Sequence, residues 1–183
     1  MAYSIEPAFT VANELARQLI KAGTDPVNQW FFSDGAFSAD SLLERFPNTK
    51  LHENFVVISD GKIVSYMTCK WNRPLDIITS FRFIVFDKHK ACTAARAIFQ
   101  YLDYLFVIRG CNALNWIVAE QNYHAFRIYE KTIAHYFGHR VGKRHHGQKS
   151  YTGIISDVYL YEITREEYFC WKDKHPAETS IGA

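Results

Sequence analysis

Cysteine is scarce and scattered. Cys69, Cys92, Cys111 and Cys170 are the only four, and no two form a CxxC pair. This spacing argues against a zinc knuckle or a disulfide framework and fits reduced thiols in a cytosol. Apolar runs are short: stretches such as Leu105–Ile108 fall far below the ~20 residues needed to span a bilayer. The N-terminus has no basic segment followed by an apolar one. These absences predict a soluble, cytoplasmic protein with no membrane partner. With 9 glycines and 5 prolines, the chain has no linker-like segment, and no repeat is visible. The formal charge of +2 is too small to imply a polyanionic partner.

What is present is apolar and aromatic. Of 183 residues 48% are hydrophobic and 16% aromatic, enough for one sizeable core. The expectation is a single domain over 1–183, with its core at about 3–168 and a frayed tail at 178–183. The charge is unevenly spread. Between Lys131 and Ser156 lie five Lys or Arg (Lys131, Arg140, Lys143, Arg144, Lys149), four His, and no acid.

The periodicity reads in order. Tyr3-Ser4-Ile5-Glu6 alternates as a short strand, and Thr10 to Ala22 is helical, with Val11, Leu15 and Leu19 on one face and Gly23 as its stop. In the following loop, Trp30, Phe31 and Phe32 are expected in the core or as the wall of a substrate pocket. Ser38 is placed to cap a second helix that Pro47 ends. Phe55–Ile58, Asp60-Gly61 and Ile63–Lys70 spell a hairpin, and Asp76 to Phe86 is a third strand. Ala91 to Arg109 is a long helix whose polar stripe is Thr93, Arg96, Gln100 and Asp103, with Gly110 as its cap. Its N-terminus follows a strand directly, where free N–H groups and the dipole favour an anion.

The most informative stretch is Ala113 to Lys131. Ala113–Glu120 is strand-like and Gln121-Asn122 breaks it. From Tyr123 the period becomes helical, with Ala125, Phe126, Tyr129 and Ile133 on one face and His124, Arg127 and Lys131 on the other. A strand running into a helix places Asn122 and Tyr129 within reach of the crevice where open sheets hold ligands. Tyr136–Lys143 and Ile154–Ile163 then form a final hairpin around a basic, glycine-containing loop.

Glu120 to Lys131, with its strand, Asn122, helix and Tyr129-Glu130-Lys131, resembles the signature of the acetyl-CoA-dependent GNAT superfamily of N-acetyltransferases. The order of elements resembles that fold from roughly Tyr3 to Tyr168. The resemblance implies an α/β (α+β) domain: a mixed, mostly antiparallel sheet, flanked by about four helices and splayed between its fourth and fifth strands. It implies acetyl-CoA as co-substrate. The strand residues Phe83, Ile84, Val85 and Phe86 would offer backbone groups to its pantetheine arm, and Asn122 would bind the same arm. Lys90-Ala91-Cys92-Thr93-Ala94-Ala95 matches the pyrophosphate loop, with Lys90 at the basic position, Ala91 and Thr93 where glycines are usual, and Ala95 last. Tyr129 would protonate the departing thiolate.

Transfer to an amine also needs a base, because an alkylammonium with a pKa of about 10 is protonated at neutral pH. Glu120, at the crevice end of its strand, is the first choice, ahead of Asp76 and Glu53. Cys92 as a covalent nucleophile lacks any Cys/His/Asn spacing, and His135, His139, His145 and His146 lack the partners of a metal site. The expected function is acetyl transfer to a primary amine of a small molecule or protein. The rivals are a binding module of the same fold and nucleic-acid association through the 139–149 hairpin. Edge strands at both ends of the sheet leave a homodimer open.

Overall fold

The computed structural model describes residues 2–31, 42–135 and 137–175. Ser38, Phe32, Tyr136 and the tail from Glu178 lie outside them. The elements are β1 (Tyr3–Pro7), α1 (Ala12–Gly23), β2 (His52–Ser59), β3 (Lys62–Asn72), β4 (Ile77–Val85), α2 (Ala91–Asp103), β5 (Ala113–Ala119), α3 (Tyr123–His135), β6 (His139–Lys149), β7 (Ile155–Thr164) and α4 (Arg165–Lys174). The strands form one seven-stranded sheet in the order β1-β2-β3-β4-β5-β7-β6. All pairs are antiparallel except β4–β5. This is the mixed sheet the sequence led us to expect.

The Asp60-Gly61 turn has φ of 53° and 71°, the positive values that a two-residue hairpin with the right strand twist requires. Leu15 and Leu19 of α1 pack with Val56, Ile63, Tyr66 and Ile84 on one face of the sheet. Ala97, Tyr101 and Leu102 of α2 pack with Val57, Met67, Trp71, Trp116 and Tyr161 on the other, and α3 adds Ala125, Phe126 and Tyr129 there.

Four features differ from the sequence reading. The long helix is α-helical only to Asp103; Tyr104–Ile108 is a π turn, closed by the Arg109 N–H on the Tyr104 carbonyl at 2.9 Å. Thr93 is buried rather than part of the exposed stripe, because it faces the sheet from the first turn of α2. The basic stretch expected as a loop is strand: β6 continues to Lys149, with a bulge between Arg144 and Gln148 that lets it follow β7 despite unequal residue counts. Finally, α4 extends the core beyond Tyr168. Its Thr164–Glu167 capping box starts it, and Tyr168 and Trp171 are buried against Phe106 and Phe137.

β4 and β5 touch only at their beginnings. The register records Ile77 opposite Ala113 and Ile78 opposite Leu114, and no further pair. The next β4 residue, Thr79, is extra: on β3, Trp71 faces Ile78 while Lys70 faces Ser80. A bulge bends and twists its strand, so β4 turns away from β5 where that residue is inserted. Asn112 holds the closed end, donating its N–H to the Asp76 carbonyl at 2.8 Å and its amide to the Leu75 carbonyl at 2.9 Å.

Candidate active site

The parted strands leave a cavity of about 500 Å³, walled by Thr79–Phe83 of β4, Asn115–Ala119 of β5, and Asn122, Ala125 and Tyr129 at the start of α3. It continues onto the α1 face of the sheet, where Leu160 and Glu162 of β7 and Arg144 and Gln148 of β6 border it. There the Trp30-Phe31 segment roofs it. Arg82 donates to the Phe31 carbonyl at 3.4 Å from one flank, and Gln148 donates to the Trp30 carbonyl at 2.7 Å from the other. Trp30 is buried, so of the two roles open to it the wall and the core are both filled. A second cavity of about 590 Å³ shares Phe31, Ser80 and Arg82 with the first and runs toward Asn54, Tyr66 and Thr68.

Tyr129 packs its ring 5.5 Å from that of Trp116 and 6.2 Å from that of Tyr161. Burial pushes its hydroxyl up to about 12, so it stays protonated across the neutral range. The helix puts it there because Ala125, Phe126 and Tyr129 share the face turned to the sheet while His124, Arg127 and Lys131 are exposed. Asn122 starts that helix: its carbonyl accepts from the Phe126 N–H at 2.9 Å and its side chain from the Ala125 N–H at 3.4 Å.

The β4 segment divides by alternation. Phe86 gives its N–H to the Val64 carbonyl at 2.9 Å, so the ladder turns the backbone groups of Ile84 and Arg82 toward β3 as well. The backbone edges of Phe83 and Val85 face the cleft instead. The side chain of Ile84 is buried in the core under α1.

Ala91, Cys92 and Ala95 expose the first turn of α2, and Thr93 and Ala94 are buried. Small exposed residues and the basic turn Lys88-His89-Lys90 suit a pyrophosphate. Two contacts temper the fit: Lys90 holds Asp60 at 2.8 Å, and the Asp87 side chain accepts the His89 N–H at 2.9 Å.

The three candidate bases are not on the cavity wall. Glu120 turns to β6 and β7, where the Tyr159 hydroxyl donates to it at 2.8 Å and Lys143 at 3.1 Å; these two contacts hold its pKa below the ordinary value. Asp76 sits in the turn at the closed end, at φ 50°. Glu53 is buried, with Arg109 at 2.6 Å and Arg73 at 3.8 Å. Among the described residues the acid that borders the cavity is Glu162, with His139 at 3.7 Å. A signal existed in the sequence: Val158, Leu160 and Glu162 share one face of β7, and Glu162 is the lone acid on that row.

Part of the basic hairpin is paired with acids elsewhere in the chain. Arg140 meets Glu130 at 3.5 Å, Lys143 meets Glu120 and Asp157 at 3.1 and 3.2 Å, and His145 meets Asp157 at 3.0 Å. No helix among the described residues is long and apolar enough to cross a membrane.

No protein-family model matches the sequence, and no curated protein matches it. Solved structures do. A chimera of the spermidine N-acetyltransferase SpeG from Vibrio cholerae with hSSAT superposes with a TM-score of 0.72 at 17% identity, over 92% of this chain and 99% of that one. A mutant of the same spermidine N-acetyltransferase gives 0.69 at 18% identity, over 91% and 96%. Another solved structure, of mutant forms of the spermidine/spermine N-acetyltransferase SpeG, gives 0.68 at 17% over 92% and 98%. The chain therefore has the fold of the GNAT N-acetyltransferases.

Proposed function

We propose that this protein is a cytoplasmic N-acetyltransferase that moves an acetyl group from acetyl-CoA to a primary amine by direct attack. The observation that carries the reading is the parting of β4 from β5 after Ile78 and Leu114, with Tyr129 on the wall of the resulting cavity. Acetyl-CoA supplies the activated acyl group. The backbone edge at Phe83 and Val85 binds its arm from one side and Asn122 from the other, and the exposed turn at Ala91 and Cys92 takes its phosphates.

The chemistry needs an amine freed of its proton. Glu162 draws the ammonium and accepts that proton, directly or through water. The nitrogen then attacks the thioester carbon, whose oxygen is polarised by a β4 N–H on the cleft side. As the carbon–sulfur bond breaks, the Tyr129 hydroxyl protonates the sulfur, and the nitrogen's second proton leaves as the amide forms, directly or through water, to restore the phenol. A neutral phenol is the form this step requires, and its burial keeps it neutral.

The test is release of free thiol from acetyl-CoA with a panel of amines. Tyr129→Phe should lower kcat about 10²-fold or more with a small change in KM, as expected for loss of a positioned proton donor. Full activity in that variant removes the role assigned to Tyr129. Binding of acetyl-CoA without thiol release would instead make the chain a binding module of this fold.

A further inference from the structure

The solved relatives named above act on polyamines, which carry several ammonium groups. The α1 face of this cavity presents guanidinium groups as well as an acid. Among the described residues that border it, two are guanidinium side chains, Arg82 and Arg144, and one is a carboxylate, Glu162. We infer that the acceptor is an amine that also carries an anionic group several bonds away from the amino group. This rests on the transferase reading and names the substrate class of the same site.

Arg144 is the centre of the argument. Its strand neighbours Arg140 and Lys143 each reach a carboxylate, as does His145. Among the described residues Arg144 meets no carboxylate: its side chain donates to the Gly147 carbonyl at 3.1 Å, across the β6 bulge, and it borders the cavity. A planar guanidinium with spare N–H groups at a cavity wall fits a carboxylate or phosphate. Arg82 borders the same cavity from β4 on the far flank, under the same Trp30-Phe31 roof.

The register sets the spacing. Arg144 lies opposite Val158 and Glu162 lies four residues further along β7. At about 3.3 Å per residue that separates their backbones by about 13 Å. An α-amino acid bears both charges on one carbon and spans little of this. A longer ω-amino acid, or a peptide whose acid is remote from its amine, spans it, and the aromatic rings of Trp30 and Phe31 cover its apolar body.

The test compares 6-aminohexanoate and 8-aminooctanoate with hexylamine, octylamine, glycine and spermidine in the thiol-release assay. The ω-amino acids should exceed the matched alkylamines about 10-fold or more in kcat/KM, as expected for a hydrogen-bonded charge pair. In Arg144→Ala that ratio should fall to near one, and Arg144→Lys should keep part of it. Spermidine as the best acceptor, or equal rates for amines with and without the carboxylate, overturns this inference and leaves the transferase reading standing. If no amine is turned over, the transferase reading fails by itself. Calorimetry with 8-aminooctanoate then decides the inference: binding to the wild type and not to Arg144→Ala supports it, and binding to neither overturns it.

Discussion

Lys143 holds both carboxylate oxygens of Glu120 at 3.1 Å, although the two residues are distant in sequence and lie on strands separated by β7. The contact turns the acid that ends β5 away from the cleft and joins it to Tyr159 and Asp157 in one cluster on the helix-covered face. Two consequences can be measured.

First, Glu120→Gln should retain most acetyl-transfer activity, within about threefold, whereas Glu162→Gln should lose about tenfold or more in kcat. Steady-state rates of the two variants side by side check this. The reverse order would restore Glu120 as the base.

Second, the cluster should lose its contribution to stability in acid. Asp157 is held down to about 2, first by the His146 N–H and then by Lys143 and His145, and Glu120 is lowered by Tyr159 and Lys143. A carboxylate with a depressed folded pKa stabilises above its unfolded value, near 4, and that stabilisation disappears as pH falls through the folded one. Urea midpoints should therefore decline between about pH 4 and pH 2. In Asp157→Asn the decline should be shallower.

Glu53 and Arg109 make the buried counterpart. The π turn at the end of α2 brings Arg109 to within 2.6 Å of Glu53, which is 3% exposed. Removing one partner strands a buried charge, so Arg109→Ala should lower unfolding free energy by about 3 kcal/mol. The double change Glu53→Gln with Arg109→Met should cost less than the two single changes added together, which denaturant titrations of all three variants would show.

Gly147 sits in the β6 bulge, where a Cβ would come within 2.3 Å of Val158 Cγ2 and 3.0 Å of Arg144 Nε. Val158 is fully buried and cannot yield cheaply. Gly147→Ala should cost about 1–3 kcal/mol by overpacking. Adding Val158→Ala should recover part of that loss, read as a rise in Tm over the single variant.

Much of this molecule was legible from residue order. Alternation and turn chemistry fixed the Asp60-Gly61 hairpin, and the switch from period two to helical period at Asn122 fixed β5, α3 and the face that carries Tyr129, because those signals are local. α4 was missed although Thr164-x-x-Glu167 is a capping-box pattern; its apolar face is only Tyr168 and Trp171, too little for periodicity to register. The partners of charged groups were not legible. The pairing of β7 between β5 and β6 decides that Glu120 meets Lys143 and Glu162 meets the cavity. The same holds for the basic 139–149 segment: composition shows its charge, but the acids that pair with part of it come from α3, β5 and β7. A strand's periodicity says which residues share a face, whereas the contact that sets a charge's role is a distance across the sheet, and one bulge at Thr79 decides whether that distance opens into a site.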